Sequence, residues 1–533
     1  MRKNIILTFM LAFAATVQAQ ITTITVDSVG KLSTLLPDSI RFTYEELKVC
    51  GPLNTSDIKT LQLMANRTKP RQEGHRLLRV LDLSEVTLPE GKGLFKSKAG
   101  VLPVSAFMGC KSLERVVLPE SSTEISRSCF SGCSSLKEIV VPKGITAIGD
   151  YAFANCAALQ EITIPETVGK IGSHAFDGCQ AFTDVKLPEG LTFIESYTFS
   201  QCTNLANVSI PETVTAIGGS AFQGCSSLQH IDIPASVTEM GSSVFEDCVA
   251  LDTIVLSSIS KMGSECFENC TNLRAAIVAG TLEELPNETF TGCSGLDSVA
   301  LPDKLRTIGR SAFFDCKSLP AINLPSTLTK VGDNAFENCS MLRAIVVPSL
   351  VKQLGSNTFE NCISLDSVVI AGFLTKLESD LFRYCHSLRT ISLPVSIRTI
   401  GDNCFEECTT LTTIQLPVAL TSLGDNAFEK CVSLTTIELP AGCNAIGSST
   451  FRDCNSLVTV SLPAALKKIG GNAFAKCSAL REVRLASPLP PSITHSTFKG
   501  IVMDACRFIV PRNCSHNYSA DKQWAKIKHI TEN

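Results

Sequence analysis

The chain has 533 residues, with 47 Lys and Arg against 51 Asp and Glu, so its formal net charge is −4. A mildly acidic chain lacks the basic field that holds a phosphate backbone, which excludes nucleic acid as an expected partner. Apolar residues make up 44% and charged residues 18% of the chain, a composition that supports a buried core and excludes a disordered protein.

The first twenty residues have the pattern of a secretory signal peptide. Arg2 and Lys3 precede an apolar run over residues 5–15, and small residues place the cleavage between Ala19 and Gln20. The run is shorter than the ~20 residues that a membrane-spanning helix needs, and no later segment reaches that length, so we expect no transmembrane segment in the mature chain. The sequence therefore predicts an exported protein, either secreted or held at the cell surface.

Residues 20–100 lack the Phe-x-x-Cys motif that marks the rest of the chain, and we expect them to form an N-terminal cap with degenerate repeats. Residues 78–83 have the alternation of a short strand. Thr55 to Asp57 are predicted to cap a short helix. The apolar side of that helix is formed by Ile58, Leu61 and Met64.

The middle of the chain consists of seventeen copies of one sequence repeat. Each unit carries Phe-x-x-Cys, and successive cysteines lie 23 residues apart except Cys248 and Cys270, which are 22 apart. An eighteenth unit keeps Phe498 but has Ile501 in place of cysteine. A fixed period of this length predicts a solenoid, in which each unit forms one coil stacked on its neighbours. We expect only a small kink at the shortened unit.

Within one unit the spacing of apolar residues predicts the path of the coil. Residues 139–141 have the period of two that is typical of a strand, and Pro142 ends it because proline has no N–H to donate. Residues 145–149 indicate a second extended segment and a turn, and residues 152–156 fit one helical or 3₁₀ turn. The chain should therefore contribute one strand per repeat to a long parallel sheet, with short helical turns between strands.

The pattern L-x-x-I-x-L-P-x-x-I-T-x-I-G-x-x-A-F-x-x-C, read from Leu136 to Cys156, resembles the BspA-like class of bacterial leucine-rich repeats. The resemblance covers residues 101–487 and implies an α/β repeat solenoid, a right-handed leucine-rich-repeat superhelix of about 17 repeats. Members are secreted or displayed on the cell surface, and several are similar to adhesins. The resemblance therefore implies a protein partner, such as a host matrix or cell-surface protein.

Residues 488–533 are predicted to form a C-terminal cap. A proline-rich stretch over residues 488–491 breaks the period, and residues 508–511 indicate a last strand. An uncovered end would expose the core, so we expect the side chains of Trp524, Ile527 and Ile530 to cover it. Cys506 and Cys514 bracket the last strand, and a disulfide between them is an alternative to two free thiols.

The seventeen repeated cysteines are predicted to form a row of small buried hydrophobic residues and not a disulfide framework, because their side chains should all point the same way. Cys129 beside Cys133 leaves a metal pair as an alternative, without a second pair of ligands nearby. His230 and Asp232 share one strand, but no Ser or Cys nucleophile accompanies them. We therefore expect no enzyme, no metal and no cofactor.

The residues five and seven positions after each cysteine should face solvent on the sheet, which the family resemblance makes the concave face. Six central units carry no charge there, and their candidate binding residues are Thr253, Val255, Ala275, Ile277, Ser298, Ala300, Asn323, Val346 and Val369. A contiguous apolar strip often marks an interaction site, although Val, Ile and Thr also suit exposed strands by shape. We expect adhesin-like recognition of a protein partner. The alternative is a structural spacer or assembly component of the bacterial cell envelope, and the oligomeric state stays open.

Overall fold

The computed structural model describes residues 21–66, 76–91 and 98–533. The cleavage predicted between Ala19 and Gln20 lies outside these residues. The described chain winds into stacked coils of about 23 residues joined by parallel strand pairing, so the predicted parallel-strand solenoid is confirmed. Among the described residues, the helices are all too short or too polar to cross a lipid bilayer.

The N-terminal segment forms a small α/β layer against the first coils. A buried apolar cluster joins its helices to the coil that carries Phe107. Parallel pairing runs from its first strand to the solenoid. The strands are Thr22–Thr25, Glu46–Pro52, Val80–Asp82 and Val86–Thr87, and the helices are Leu32–Leu35, the 3₁₀ turn Arg41–Thr43 and Thr55–Ala65.

The helix Thr55–Ala65 begins one residue earlier than the sequence pattern indicates. Its N-cap is Asn54, whose side chain accepts hydrogen bonds from the backbone N–H groups of Ser56 and Asp57 at 2.9 and 3.2 Å. The Asp57 carboxylate in turn accepts from the backbone N–H groups of Asn54 at 3.0 Å and Leu32 at 3.0 Å. This reciprocal capping satisfies donors that would otherwise be left free at the helix start, and it ties the two helices together.

Most coils begin with a face strand, whose middle residue points to the core while its neighbours point to solvent. Equivalent residues of adjacent strands pair in parallel, as Glu138 does with Arg115. Within residues 98–533, four coils have no assigned face strand, at residues 161–163, 230–232, 321–323 and 413–415. The face strands are Arg115–Val117, Glu138–Val140, Asp184–Lys186, Asn207–Ser209, Thr253–Ile259, Ala275–Gly280, Ser298–Ala300, Ala344–Val347, Ser367–Ile370, Thr390–Ser392, Thr436–Glu438, Thr459–Leu462 and Glu482–Leu485.

A second, two-residue strand follows the proline corner of each coil, where the sequence predicts only an extended segment. In twelve of the sixteen coils with such a strand, a glycine follows it directly, and successive coils approach closely there: a Cβ on Gly470 would lie 2.4 Å from the carbonyl carbon of Gly447. The second strands are Glu124–Ile125, Ala147–Ile148, Lys170–Ile171, Phe193–Ile194, Ala216–Ile217, Glu239–Met240, Lys261–Met262, Glu284–Leu285, Thr307–Ile308, Lys330–Val331, Gln353–Leu354, Lys376–Leu377, Thr399–Ile400, Ser422–Leu423, Ala445–Ile446 and Lys468–Ile469.

The return segment of each described coil contains tight turns, as in the 3₁₀ alternative of the prediction, and no α-helix. It consists of turns separated by residues in the left-handed region, such as Tyr151 with φ 56° and Asn155 with φ 59°. The Cys156 N–H donates to the Phe153 carbonyl at 3.1 Å, which is a turn hydrogen bond between residues three apart. Because two left-handed residues recur in every coil, a continuous helix cannot form.

The core contains one unbroken column of phenylalanine rings. From Phe107 to Phe498, successive rings are stacked with centroids 5.1 to 5.6 Å apart. This spacing is that of offset-stacked rings, and it matches the strand separation of about 4.8 Å that the backbone imposes. The phenylalanine of each coil therefore packs equally on the coil above and the coil below.

The cysteines of the repeat line the same core and also act as weak hydrogen-bond donors. From Cys133 to Cys477, each thiol donates to the phenylalanine carbonyl of the preceding coil, at 3.0 to 3.3 Å. A buried cysteine thus fills a small apolar site and offers one donor to a neighbouring coil. The sequence argument anticipates the packing role of these side chains but not the hydrogen bond.

The shortened unit between Cys248 and Cys270 is absorbed without interrupting the stack. The strand Thr253–Ile259 runs on through the missing corner, and its pairing with the next strand shifts register between Leu256 and Ile259. A Cβ on Gly280 would lie 2.4 Å from the Ile259 carbonyl oxygen, so this register requires glycine. The solenoid resumes as predicted, because Phe245 and Phe267 still stack at 5.6 Å.

The C-terminal segment adds two parallel strands and packs aromatic rings against the last coil. Trp524 is buried, and its indole N–H donates to the Pro491 carbonyl at 2.7 Å. The Tyr518 hydroxyl donates to the Ser487 carbonyl at 2.7 Å. Cys506 and Cys514 are free thiols, without the disulfide considered from the sequence. The elements are the 3₁₀ turns Met503–Ala505 and Trp524–Lys526, the helix Ser515–Ala520, and the strands Arg507–Val510 and Ile530–Glu532.

Candidate interaction surface

The predicted strip of neutral residues lies on the outer side of the face strands. Four aliphatic side chains project from it, with exposed fractions of 48% for Val255, 46% for Ile277, 59% for Val346 and 42% for Val369. The alternation of buried and exposed positions along each strand directs them outward. Thr253, Ser298, Ala300 and Asn323 are also exposed, and Ala275 is partly exposed. We call these nine residues the central strip.

Backbone pairing fixes the spacing of the first half of the central strip. Val255 pairs with Ile277, and Ile277 pairs with Ala300. Thr253 pairs in the same way with Ala275. Residues directly opposite one another in neighbouring strands are close enough for their side chains to touch. The first half is therefore a continuous apolar ladder of three strands.

The central strip is not one sheet, as the sequence alone suggests, but two three-stranded ladders. Val346 pairs with Val369 in the second ladder, and the coil between the ladders carries Asn323 outside any strand. Pro320 begins this coil and has no N–H to donate, but the coils at residues 161–163, 230–232 and 413–415 also lack an assigned face strand and have Gln160, Gln229 and Thr412 at the equivalent position. The chain keeps its coil path here but loses the regular pairing.

A polar rim flanks the central strip where the strands begin. Arg274 Nε lies 2.5 Å from Asp252 Oδ1 across two adjacent coils, and this contact lowers the pKa of the Asp252 carboxyl. Arg389 pairs with Asp366 farther along, at 3.8 Å. These residues lie one position before the exposed strand positions considered in the sequence, so a search confined to the strand missed them.

An open groove of about 490 Å³ lies at this rim, beside the first ladder of the central strip. Two of the residues that line it are small, Ala250 and Gly295, and leave the groove open. A side chain on Gly295 would meet the Thr271 carbonyl at 2.6 Å. The lining residues are Gln229, His230, Ala250, Asp252, Thr271, Asn272, Arg274 and Gly295. An apolar ladder with a polar groove at its edge has the anatomy of a protein-binding surface.

An aromatic stack that the sequence reading did not single out lies on the return segment. The ring of His174 is sandwiched between Tyr151 and Tyr197, with centroids 4.5 and 4.4 Å away. Asp177 lies 3.0 Å from His174 Nδ1. Arg127 lies 5.8 Å from the centroid of the Tyr151 ring, and Tyr197 at the other end of the stack is 39% exposed.

Carboxylates crowd together on the return segments near the shortened unit. Burial and the neighbouring acids Glu246, Glu265, Glu288 and Asp247 raise the pKa of Glu268 to about 7. In the part of the chain that the structure describes, Glu265, Glu268 and Glu288 form the one group of side chains close enough to share a cation, with ligand atoms within 4.8 Å. All three side chains are partly exposed.

The repeated cysteines are poor candidates for nucleophiles. Burial raises the pKa of Cys129 and of Cys156 to about 12, and a thiol without its thiolate form is inert. Where a second cysteine adjoins the phenylalanine, its thiol also points to backbone oxygens: Cys266 donates to the Gly241 and Gly263 carbonyls, both at 3.1 Å. These contacts account for the extra cysteines by packing and hydrogen bonding.

Solved structures of similar proteins include several bacterial leucine-rich repeat proteins. One, from Bacteroides ovatus, is 23% identical over 85% of this chain and 92% of its own, with a TM-score of 0.42. A T. pallidum leucine rich repeat protein is 30% identical over 30% of this chain and 77% of its own, with a TM-score of 0.29. A leucine rich cell surface protein from Faecalibacterium prausnitzii is 22% identical over 70% of this chain and 87% of its own, with a TM-score of 0.31.

The sequence profile of the BspA type leucine rich repeat region also matches the chain, whereas the comparison with curated proteins gives no match. The matched stretches overlap and together extend over more than half of the chain; they are residues 100–211, 146–274, 192–319, 260–389 and 375–502. These stretches contain the phenylalanine column, the thiol row and the central strip. The chain belongs to the BspA-type leucine-rich repeat family.

Proposed function

We propose that the protein is an exported binding scaffold that recognises a protein partner through the central strip, as an adhesin does, and that it is not an enzyme. The observation that carries this proposal is the exposure of Val255, Ile277, Val346 and Val369 on strands that hold no charged residue on their outer side. Apolar side chains on a rigid, pre-formed surface lose little conformational freedom when a partner covers them.

The chemistry of the strip favours a protein or peptide as the partner. Aliphatic and small side chains offer no ring faces for a sugar, and the absence of basic residues on the outer side of these six described coils gives nothing to hold a phosphate. The groove beside Arg274 and Asp252 adds polar groups at the rim, where an interface places its specificity. A surface location suits this role, and one structural relative is described as a cell surface protein.

The test compares two variants of the chain from Gln20 onward, each with three added lysines on the same face. The first is Val255→Lys, Ile277→Lys and Val346→Lys within the central strip. The control is Thr413→Lys, Thr436→Lys and Thr459→Lys, at outward positions of coils beyond both ladders. Binding of purified extracellular-matrix and cell-surface proteins is measured by interferometry at several salt concentrations.

We expect a partner that binds wild type and the control and loses at least tenfold in affinity, about 1.4 kcal/mol, with the central variant, because each buried ammonium would have to be desolvated. The competing function is an envelope spacer, which the unbroken phenylalanine column favours because it makes a stiff rod. Equal binding by all three proteins, or capture of none of the purified proteins, would favour the spacer.

A further inference from the structure

Four apolar side chains stand out at one corner of four successive coils. Their exposed fractions are 52% for Leu350, 69% for Phe373, 73% for Val395 and 77% for Val418. Each lies in the turn before the second strand of its coil, Leu350 and Phe373 one position later in the repeat than Val395 and Val418. We call these four residues the apolar ridge. Sequence analysis of the strand positions does not find it, because it belongs to the turns.

The ridge is continuous because the coils are tied together on both sides of the corner. Before the turn, the Ala371 N–H donates to the Val347 carbonyl at 3.0 Å. After it, the Arg398 N–H donates to the Thr375 carbonyl at 2.8 Å, and the Thr421 N–H donates to the Arg398 carbonyl at 2.8 Å. With strands about 4.8 Å apart, the four side chains span roughly 15 Å along the stack.

Basic side chains accompany the ridge, with almost no acid among them. Lys330, Lys352 and Arg398 are exposed or partly exposed, and within the described residues none of them forms an ion pair. Across residues 344–355, 367–378, 390–401 and 413–424 the only acid is Glu378, which Lys376 neutralises at 2.6 Å. The exposed Asp402 and Asp425 come directly after the last two ranges, at the start of the return segments. The ridge therefore has a positive flank.

The shape and the charge together identify the partner. A side chain that is two thirds or more exposed on a convex corner has no groove around it, so a rigid protein would need a deep matching pocket for each such side chain. A lipid bilayer yields to protruding apolar groups, and its anionic headgroups attract nearby Lys and Arg. We propose that the apolar ridge and its basic flank dock this edge of the solenoid on an anionic lipid surface. This proposal does not depend on the central strip.

The experiment is cosedimentation of the chain from Gln20 onward with vesicles. This chain keeps all described residues and omits the apolar run of residues 5–15, which would bind lipid by itself. Two vesicle types are used, phosphatidylcholine alone and phosphatidylcholine with about 30% phosphatidylglycerol. The ridge variant is Phe373→Ser, Val395→Ser and Val418→Ser. The flank variant is Lys352→Glu and Arg398→Glu, and the control is Val255→Ser with Ile277→Ser in the central strip.

Wild type and the control should sediment with the anionic vesicles and much less with the neutral ones. The ridge variant and the flank variant should each partition at least tenfold more weakly, while their far-ultraviolet circular dichroism and thermal unfolding match wild type. Failure of wild type to sediment with anionic vesicles would overturn the proposal, as would undiminished binding by the ridge variant. If light scattering instead shows a wild-type dimer that the ridge variant abolishes, the ridge binds a second copy and the lipid proposal is wrong.

Discussion

The buried residues of the coils are nearly constant along the chain, whereas the exposed residues of the same coils vary. In the core, one phenylalanine and one cysteine recur in each unit, and the centroids of successive phenylalanine rings are 5.1 to 5.6 Å apart. Outside, the face strands change from charged residues at Glu138 and Asp184 to aliphatic ones at Val255, and then to threonine at Thr436 and Thr459. A core position must fit the coil above and the coil below, whereas a face position meets only solvent or a partner. Variation along the face is thus where binding specificity can reside.

The largest loss of stability is expected from a substitution in the phenylalanine column. Phe313 is fully buried, with ring centroids 5.5 Å from Phe290 and 5.1 Å from Phe336. Phe313→Ala should lower the free energy of unfolding of the surrounding coils by about 3 to 5 kcal/mol, because it leaves a cavity in a stack that cannot close. Guanidinium denaturation and hydrogen exchange of the neighbouring coils measure the loss.

The matched control for this change is the next residue, Phe314, which is only partly buried. Phe314→Ala removes the same side chain from the same coil but leaves the column intact. Its cost should be under about 2 kcal/mol, since less apolar area leaves water on folding. Equal costs for the two variants would contradict the central role given to the column.

The inside of the fold is predictable from the sequence because it repeats. The Phe-x-x-Cys period alone gives the stacked coils, and the Ile139-x-Val141 spacing gives the face strand. Of the two kinds of turn expected between Ala152 and Cys156, the structure has the tighter one, with a hydrogen bond between residues three apart. The positive φ of flanking residues such as Tyr151 is not predictable, because nothing in the sequence indicates that conformation at a tyrosine. Conformation that depends on contacts with the neighbouring coil cannot be derived from one unit.

The outside is predictable only in its alternation. The sequence places Val255 and Ile277 on the face, and the structure has both exposed. The break at Asn323 cannot be derived from the alternation of the strand, because Ile322 and Leu324 preserve that alternation. The apolar ridge cannot be predicted from the sequence, because turn residues have no fixed period from which the direction of their side chains can be calculated.

A smaller loss of stability is expected from glycine substitutions, and it should depend on whether the glycine lies where two coils touch or in an open turn. Gly470→Ala would place a Cβ 2.4 Å from the Gly447 backbone, and separating two coils should cost about 1 to 3 kcal/mol. Gly109 has φ 73°, and no atom lies within 4 Å of the position that a Cβ would take there, so Gly109→Ala should cost only about 1 kcal/mol of backbone strain. Thermal unfolding of both variants gives the ranking, and a larger loss at Gly109 would contradict it.

A third effect, smaller again, comes from the crowded carboxylates near the shortened unit. The folded state raises the pKa of Glu268 from 4.5 to about 7, so it holds a proton that the unfolded chain releases. This stability is present below pH 4.5 and is lost as the pH rises toward and through 7. Because the side chain is partly exposed, solvent screening should limit the loss to about 1 kcal/mol.

Glu268→Gln should remove this dependence on pH, because an amide cannot ionise beside Glu246, Glu265, Glu288 and Asp247. Urea unfolding at pH 5 and pH 8 should show a smaller decrease in the variant than in wild type. Glu438→Gln, an exposed change on a distant face strand, is the control. Identical decreases in wild type and Glu268→Gln would show that crowding at this site does not affect stability.

The smallest effect on the free energy of unfolding is expected for an exposed face residue, and its buried neighbour in the same strand is the reference. Ile254 is buried and Val255, the next residue, is 48% exposed. Ile254→Ser should cost several kcal/mol because it buries a hydroxyl in an apolar site, whereas Val255→Ser should change the free energy of unfolding by less than about 0.5 kcal/mol. Chemical denaturation at two protein concentrations separates the cases. A large, concentration-dependent cost at Val255 would mean that a second copy already covers the face, whereas a negligible cost means that the aliphatic side chain is retained without a stabilising role in the isolated chain.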